Sequence, residues 1–131
     1  MAVSAFAVLS PGSRLRPHCG STNARLTCHF GVRIPPGARI RAGEETRTWT
    51  EGDCVVFDDS FEHEVWQQGS PDSVRVVLLI RFWHPDIPPN RWPEAQHHMK
   101  KLYRQHKRRI TVPPLERPAK LGSTPVLDLK H

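Results

Sequence analysis

Ala24-Arg25-Leu26-Thr27-Cys28-His29-Phe30-Gly31-Val32-Arg33-Ile34 is the stretch whose reading decides the fold. Ala24, Leu26, Cys28, Phe30, Val32 and Ile34 alternate with Arg25, Thr27, His29, Gly31 and Arg33. A period of two over this length describes a β-strand with two chemically different faces. Pro35-Pro36-Gly37 stops it, because neither proline can donate to a ladder and glycine accepts a turn. On the N-terminal side, Ala5 to Leu9 is a short apolar segment closed by Ser10-Pro11-Gly12. On the C-terminal side, strand-like pieces fall around Arg39–Arg41, Thr46–Trp49, Cys54–Phe57 and Phe61–Trp66, with turn residues between them. Val74 to Trp83 is apolar on both faces apart from Arg75 and Arg81, and reads as a strand buried on both sides. About seven short strands with no helix between them predict an antiparallel sandwich or jelly-roll barrel.

The remainder of the chain differs in kind. The formal charge of +6 is uneven: residues 1–90 carry nine bases against ten acids, whereas residues 91–131 carry ten bases against three. Two regions follow, a β domain over 1–90 and a basic helix with a flexible tail over 91–131. Pro93 to Arg109 fits a helix, with proline in its first turn and a thin apolar stripe of Ala95, Met99, Leu102 and Tyr103. From Thr111 onward, prolines and scattered charges predict disorder. Any attraction to nucleic acid would be confined to this tail, and a solvated basic helix is the preferred reading, so no nucleic-acid partner is expected. No apolar run approaches the roughly 20 residues that span a bilayer, and the first ten residues lack the basic flank of a secretory signal. Cys19, Cys28 and Cys54 have neither the number nor the spacing of a disulfide scaffold or a standard zinc module.

Candidate chemistry lies in the β region. His18, His29 and His63 occupy separate segments, and histidines from different strands of a barrel commonly hold a transition metal. Taken singly, each reads as a surface or hydrogen-bonded core histidine. Arg75 changes that weighting. It opens an almost wholly apolar strand, and an unpaired buried guanidinium costs several kcal/mol. Two partners stay open for it: a protein acid such as Asp58 or Asp59, or the carboxylate of a small molecule, which its planar fork fits bidentately.

Four motifs in collinear order, over roughly residues 6 to 87, resemble the aspartyl/asparaginyl β-hydroxylase family. They are Pro17-His18-Cys19-Gly20-Ser21-Thr22-Asn23-Ala24-Arg25-Leu26, Cys28-His29-Phe30-Gly31-Val32, Phe57-Asp58-Asp59-Ser60-Phe61-Glu62-His63-Glu64-Val65-Trp66, and Arg75 followed by Phe82-Trp83-His84-Pro85. The resemblance implies a double-stranded β-helix of cupin-like jelly-roll type. It also implies an Fe(II)- and 2-oxoglutarate-dependent dioxygenase that hydroxylates the β-carbon of Asp or Asn in a protein substrate, epidermal-growth-factor-like domains being the family's known targets. Position by position, His18 and His63 match the iron ligands, and Asp59 matches the acid that holds a metal-bound water. Arg75 matches the clamp on the distal carboxylate of 2-oxoglutarate, and His29 and Arg25 go with the co-substrate. Gly20 falls where most related oxygenases have a third, carboxylate ligand, and its absence is characteristic of this family. Members reside at the endoplasmic reticulum through a membrane anchor.

Two positions depart from the pattern. Ala7 stands where members have a serine beside the distal carboxylate, and Thr27 where they have an arginine beside the co-substrate. These departures motivate an alternative, a catalytically silent jelly-roll binding module of the same family.

Overall fold

The computed structural model describes residues 3–69, 71–107 and 126–127. Its strands are β1 (Val3–Leu9), β2 (Arg14–His18), β3 (Arg25–Arg33), β4 (Ala38–Ala42), β5 (Glu45–Arg47), β6 (Cys54–Phe57), β7 (His63–Gln67), β8 (Arg75–Trp83) and β9 (Val126–Leu127). One sheet has the order β1-β8-β3-β6 and the other β5-β4-β7-β2-β9. Pairing is antiparallel except between β2 and β9. The two facing sheets, with their non-sequential strand order, make the double-stranded β-helix that the sequence implied. A single 3-10 turn (Pro89–Arg91) leads into helix α1 (Trp92–Lys107). Trp92 at its start stacks on Trp83 at the end of β8, with centroids 6.2 Å apart and planes 17° apart, which pins the helix to the barrel rim. The expected tail falls outside the described residues, apart from Val126–Leu127 beside Arg14 and Leu15 of β2.

The alternation in β3 is real, but its polar face is the one that points inward. Thr27 and His29 are buried, and their cross-strand partners are Phe57 and Val55 of β6 and Arg81 and Leu79 of β8. On the other face Cys28 is also buried, Leu26 and Phe30 are half-buried and Val32 is exposed. In β1 both faces carry apolar residues: Leu9 is buried and Ala7 half-buried, while Phe6 is 70 % exposed. The apolar core is therefore small: Leu9, Ala38, Ile40, Trp49, Val65 and Val77.

Two expectations need correction. Val74–Trp83 was expected to be covered on both sides, yet β8 begins at Arg75 and only its inward face is sealed. Arg75 and Val77 are buried, Val76, Leu78 and Ile80 are half-buried, and Phe82 is exposed. No described element packs over the outer face of this sheet. The second is β2, which had no apolar periodicity to announce it. It forms because β7 offers a partner, and its register slips between Leu15 and His18, where Pro17 has no N–H to give. At the β3–β4 turn, Gly37 has φ +86, and a Cβ there would meet the Gly69 nitrogen at 2.9 Å.

This inversion predicts which apolar residues carry stability. Val77→Ala should cost about 2 kcal/mol through its cavity, whereas Phe6→Ser should cost less than about 1 kcal/mol. Urea unfolding of the two variants measures the difference, and equal losses would mean that the outer face is covered.

Candidate functional site

His18 ends β2 and His63 opens β7, and the two are directly opposed across the ladder. Their ring centroids lie 4.2 Å apart, tilted by 52°. Each Nδ1–H donates to the carbonyl two residues back, His18 to Arg16 at 2.7 Å and His63 to Phe61 at 2.9 Å. A carbonyl can only accept, so Nδ1 carries the proton and the lone pair resides on Nε2 in both rings. This is the tautomer that metal-ligating imidazoles adopt when a carbonyl orients them.

A side chain at position 20 has no room beside them. Gly20 N–H donates to the Asp59 carbonyl at 2.5 Å, and a Cβ at position 20 would come within 2.6 Å of Asp59 Oδ1. The Asp59 side chain occupies the space that a residue-20 carboxylate would need. Among the described residues no group of three or more His, Cys, Asp and Glu could hold a metal. The donor set is thus two neutral imidazoles, which suits a first-row divalent ion whose remaining positions are filled by water or a small molecule. The cysteines do not join it: all three are free thiols, and burial, followed by the neighbouring Cys54, pushes Cys28 up to about 11.

Asp59 is buried in the loop before β7. Its Oδ2 accepts from Thr27 Oγ1–H at 2.9 Å and faces Arg25 Nη2 at 3.5 Å and Arg81 Nε at 3.8 Å. Its Oδ1 has no hydrogen-bond partner among the described residues. Arg25, assigned with the co-substrate by resemblance, is therefore found on Asp59. Arg81 and Thr27 went unassigned as partners of this acid, although the β3 alternation and the apolar β8 run, once paired Thr27↔Arg81, put them on one face.

Arg75 and His29 form a second cluster on the opposing sheet. Arg75 is 2 % exposed. Its Nη2 donates to His29 Nδ1 at 3.3 Å, its guanidinium lies 3.9 Å over the Trp49 ring, and its Nε–H has no acceptor. No carboxylate among the described residues pairs with it. Asp58 is occupied in accepting from Ser60 N–H, and Asp59 in the contacts above, so neither protein acid proposed for Arg75 is its partner. Burial lowers Arg75 to about 10, still protonated at neutral pH. Burial, then the charge of Arg75, drives His29 down to about 3. His29 is thus neutral, accepting at Nδ1 and holding a proton on Nε2. Phe57 bridges the clusters, with centroids 5.1 Å from His29 and 5.2 Å from His63.

Two outcomes follow from these contacts. Gly20→Ala should lose about 1–3 kcal/mol of stability by driving a methyl into Asp59, read as a lowered thermal midpoint. His29 is held neutral in the fold but binds a proton when unfolded below pH 6.5, so stability falls as pH drops. The loss should approach ~1.4 kcal/mol per pH unit below 6.5, or about 1 kcal/mol between pH 7 and 5.5. Urea midpoints at those two pH values check it, and His29→Gln should flatten the difference.

A sequence model of aspartyl/asparaginyl beta-hydroxylase matches residues 1–85. The mouse protein named aspartate beta-hydroxylase domain-containing protein 1 is 51 % identical over 83 residues, covering 63 % of this chain and 23 % of that protein. Mouse aspartyl/asparaginyl beta-hydroxylase is 48 % identical over 85 residues, covering 64 % of this chain and 11 % of that protein. The chain thus spans under a quarter of the length of either relative. A cupin protein from Bacteroides fragilis superimposes with a TM-score of 0.51 at 14 % identity, over 66 % of this chain and 70 % of that one, a likeness of fold alone. With the match running through His18, Gly20, Asp59, His63 and Arg75, the chain belongs to the aspartyl/asparaginyl β-hydroxylase family.

Proposed function

We propose that the protein is an Fe(II)- and 2-oxoglutarate-dependent dioxygenase that hydroxylates the β-carbon of Asp or Asn in a protein substrate. The observation that carries this reading is Arg75: a guanidinium buried without a carboxylate, on the sheet opposite the one that holds the two imidazoles. Leaving that charge uncompensated costs several kcal/mol, so the cavity is built for an anion that arrives from outside.

His18 and His63 would hold the iron through Nε2. When bound, Fe(II) and 2-oxoglutarate supply the oxidising power that turns a C–H bond into C–OH, the co-substrate leaving as succinate and CO2. The rest falls to the chain's own groups. Arg75 offers parallel N–H donors to the distal carboxylate, and Trp49 beneath it keeps water from competing. Neutral His29 presents its Nε2–H as a further donor. Asp59 Oδ1, which has no hydrogen-bond partner among the described residues, would accept a hydrogen bond from a water at the metal side and so hold it in place. Two imidazoles bring no charge of their own, so cation and dianion depend on each other for binding. Ala7, half-buried opposite Val77, supplies no hydroxyl, which removes about 1 kcal/mol of co-substrate affinity relative to a serine.

The test is incubation of the purified protein with Fe(II), 2-oxoglutarate and an epidermal-growth-factor-like peptide, read by mass spectrometry for one added oxygen. His63→Ala should abolish the product. Arg75→Gln should weaken calorimetric binding of 2-oxoglutarate, with Mn(II) in place of iron, by roughly 30-fold or more. Product formation by His63→Ala sinks the assignment. Absence of 2-oxoglutarate binding at millimolar concentration would favour the silent binding module.

A further inference from the structure

Cys28 and Cys54 stand together on the outer face of the β1-β8-β3-β6 sheet. Thr27 and His29 point into the barrel, so Cys28 between them points out. In β6 the inward residues are Val55 and Phe57, which leaves Cys54 and Val56 outside. The register pairs Cys28 with Val56 and Phe30 with Cys54, so the two cysteines are diagonal neighbours across one ladder. Both are free thiols, Cys28 buried and Cys54 exposed. Their proximity shows in the acidity of Cys28, which burial raises and the Cys54 thiol raises further, to about 11.

Diagonal partners in such a ladder stand about 7–8 Å apart, with their Cβ atoms closer. A disulfide ordinarily spans up to about 6.8 Å between Cα atoms, so closing one here asks β6 to move by roughly 1 Å. β6 is suited to that movement: it is four residues long, lies at the edge of its sheet and follows the turn at Gly52. The cross-strand partners of the two cysteines are Val56, Ile80 and Phe30. None of these is charged or carries a polar side chain, so each thiol has only the other as a chemical partner across the ladder.

We propose that Cys28 and Cys54 form a reversible dithiol–disulfide site that takes a hydroperoxide as its oxidant. The exposed Cys54 thiolate attacks the peroxide O–O bond, giving a sulfenic acid on Cys54 and a hydroxide that leaves as water after taking a proton. The Cys28 sulfur then attacks the Cys54 sulfur. The S–O bond breaks, and the Cys28 proton goes to the departing hydroxide. Two thiols and one hydrogen peroxide become one disulfide and two waters, with sulfur oxidised and peroxide oxygen reduced. The site is independent of the proposed oxygenase reading, although Cys28 lies one residue from Thr27, which bonds Asp59, and from His29, which bonds Arg75.

The check is hydrogen peroxide treatment of the folded chain in EDTA, quenching with N-ethylmaleimide in urea, and mass spectrometry of the tryptic peptides. Peptides 26–33 and 48–75, which carry Cys28 and Cys54, should appear as one linked species, two hydrogens lighter than their sum. Dithiothreitol should separate them. Cys28→Ser should leave Cys54 as a sulfenic acid that dimedone captures. Cys54→Ser should slow the loss of the Cys28 thiol by roughly 10-fold or more. Cys19→Ser should leave the link intact. Thermal melts confirm that each variant is folded. Cys54 driven on to sulfinic acid while Cys28 stays alkylatable overturns the proposal. So does oxidation that joins Cys54 to a second chain, or that links Cys19 in place of either partner.

Discussion

Everything at the site is indexed from Asp59. Its main-chain oxygen receives Gly20 N–H, two residues beyond His18, and four residues after it the chain delivers His63. Its side chain reaches across to Thr27, Arg25 and Arg81 on the other sheet. Asp58 holds the bend in place, accepting from Ser60 N–H with its side chain and from Phe61 N–H with its carbonyl. Asp59 thus ties the segment after His18 to the loop before His63 through its carbonyl, and reaches the other sheet through its carboxylate. The fit is tight enough that position 20 cannot carry a side chain. The lack of a carboxylate at position 20 is a packing consequence as much as a chemical choice.

The price of such a site is a barrel turned partly inside out. Thr27, His29, Asp59, His63, Gln67 and Arg75 are buried while Phe6, Val8 and Val56 are exposed. Interior volume that would ordinarily be filled by aliphatic side chains is given to groups that are satisfied only incompletely by one another, as the unbonded Arg75 Nε and Asp59 Oδ1 show. Buried polar groups of this kind reduce stability unless a partner completes them. A ligand that supplies the missing partners binds the folded state alone, so occupancy stabilises the fold by mass action.

The sequence disclosed most of this, and its silences have physical causes. Strict alternation over residues 24–34 gave β3, and the clustered turn residues gave the remaining strand boundaries to within a few positions. The same alternation did not say which face turned inward. Apolar-inside is a rule for cores, and this interior also buries Thr27, His29, His63 and Arg75. For the same reason the apolar run in β8 overstated its burial, since a central strand can be apolar on a face that no described element covers. β2 was silent because its apolar content is slight and its existence is owed to pairing with β7. Among candidate site residues, His18, His29, His63 and Arg75 stood out by residue type in separate strands, while their roles, and Asp59 altogether, came from the family resemblance. Arg81 did not stand out, because its meaning lies in a cross-strand partner, and register is a tertiary property.

The distribution of charge inside the barrel limits what the site can accept. Arg75 lies beside His29 with no acid, and Arg25 and Arg81 share one acid at the other end, with the imidazole pair and Phe57 in the space between the two groups. Keeping His29 neutral is essential to that arrangement, because a second cation against Arg75 would make the deep end repulsive to itself before any ligand arrived. On the proposed reading, a divalent ion at the imidazoles would add to an interior that already holds Arg75, Arg25 and Arg81, and anions beside those guanidiniums would favour it. Metal and anion would therefore, on that reading, bind together rather than singly.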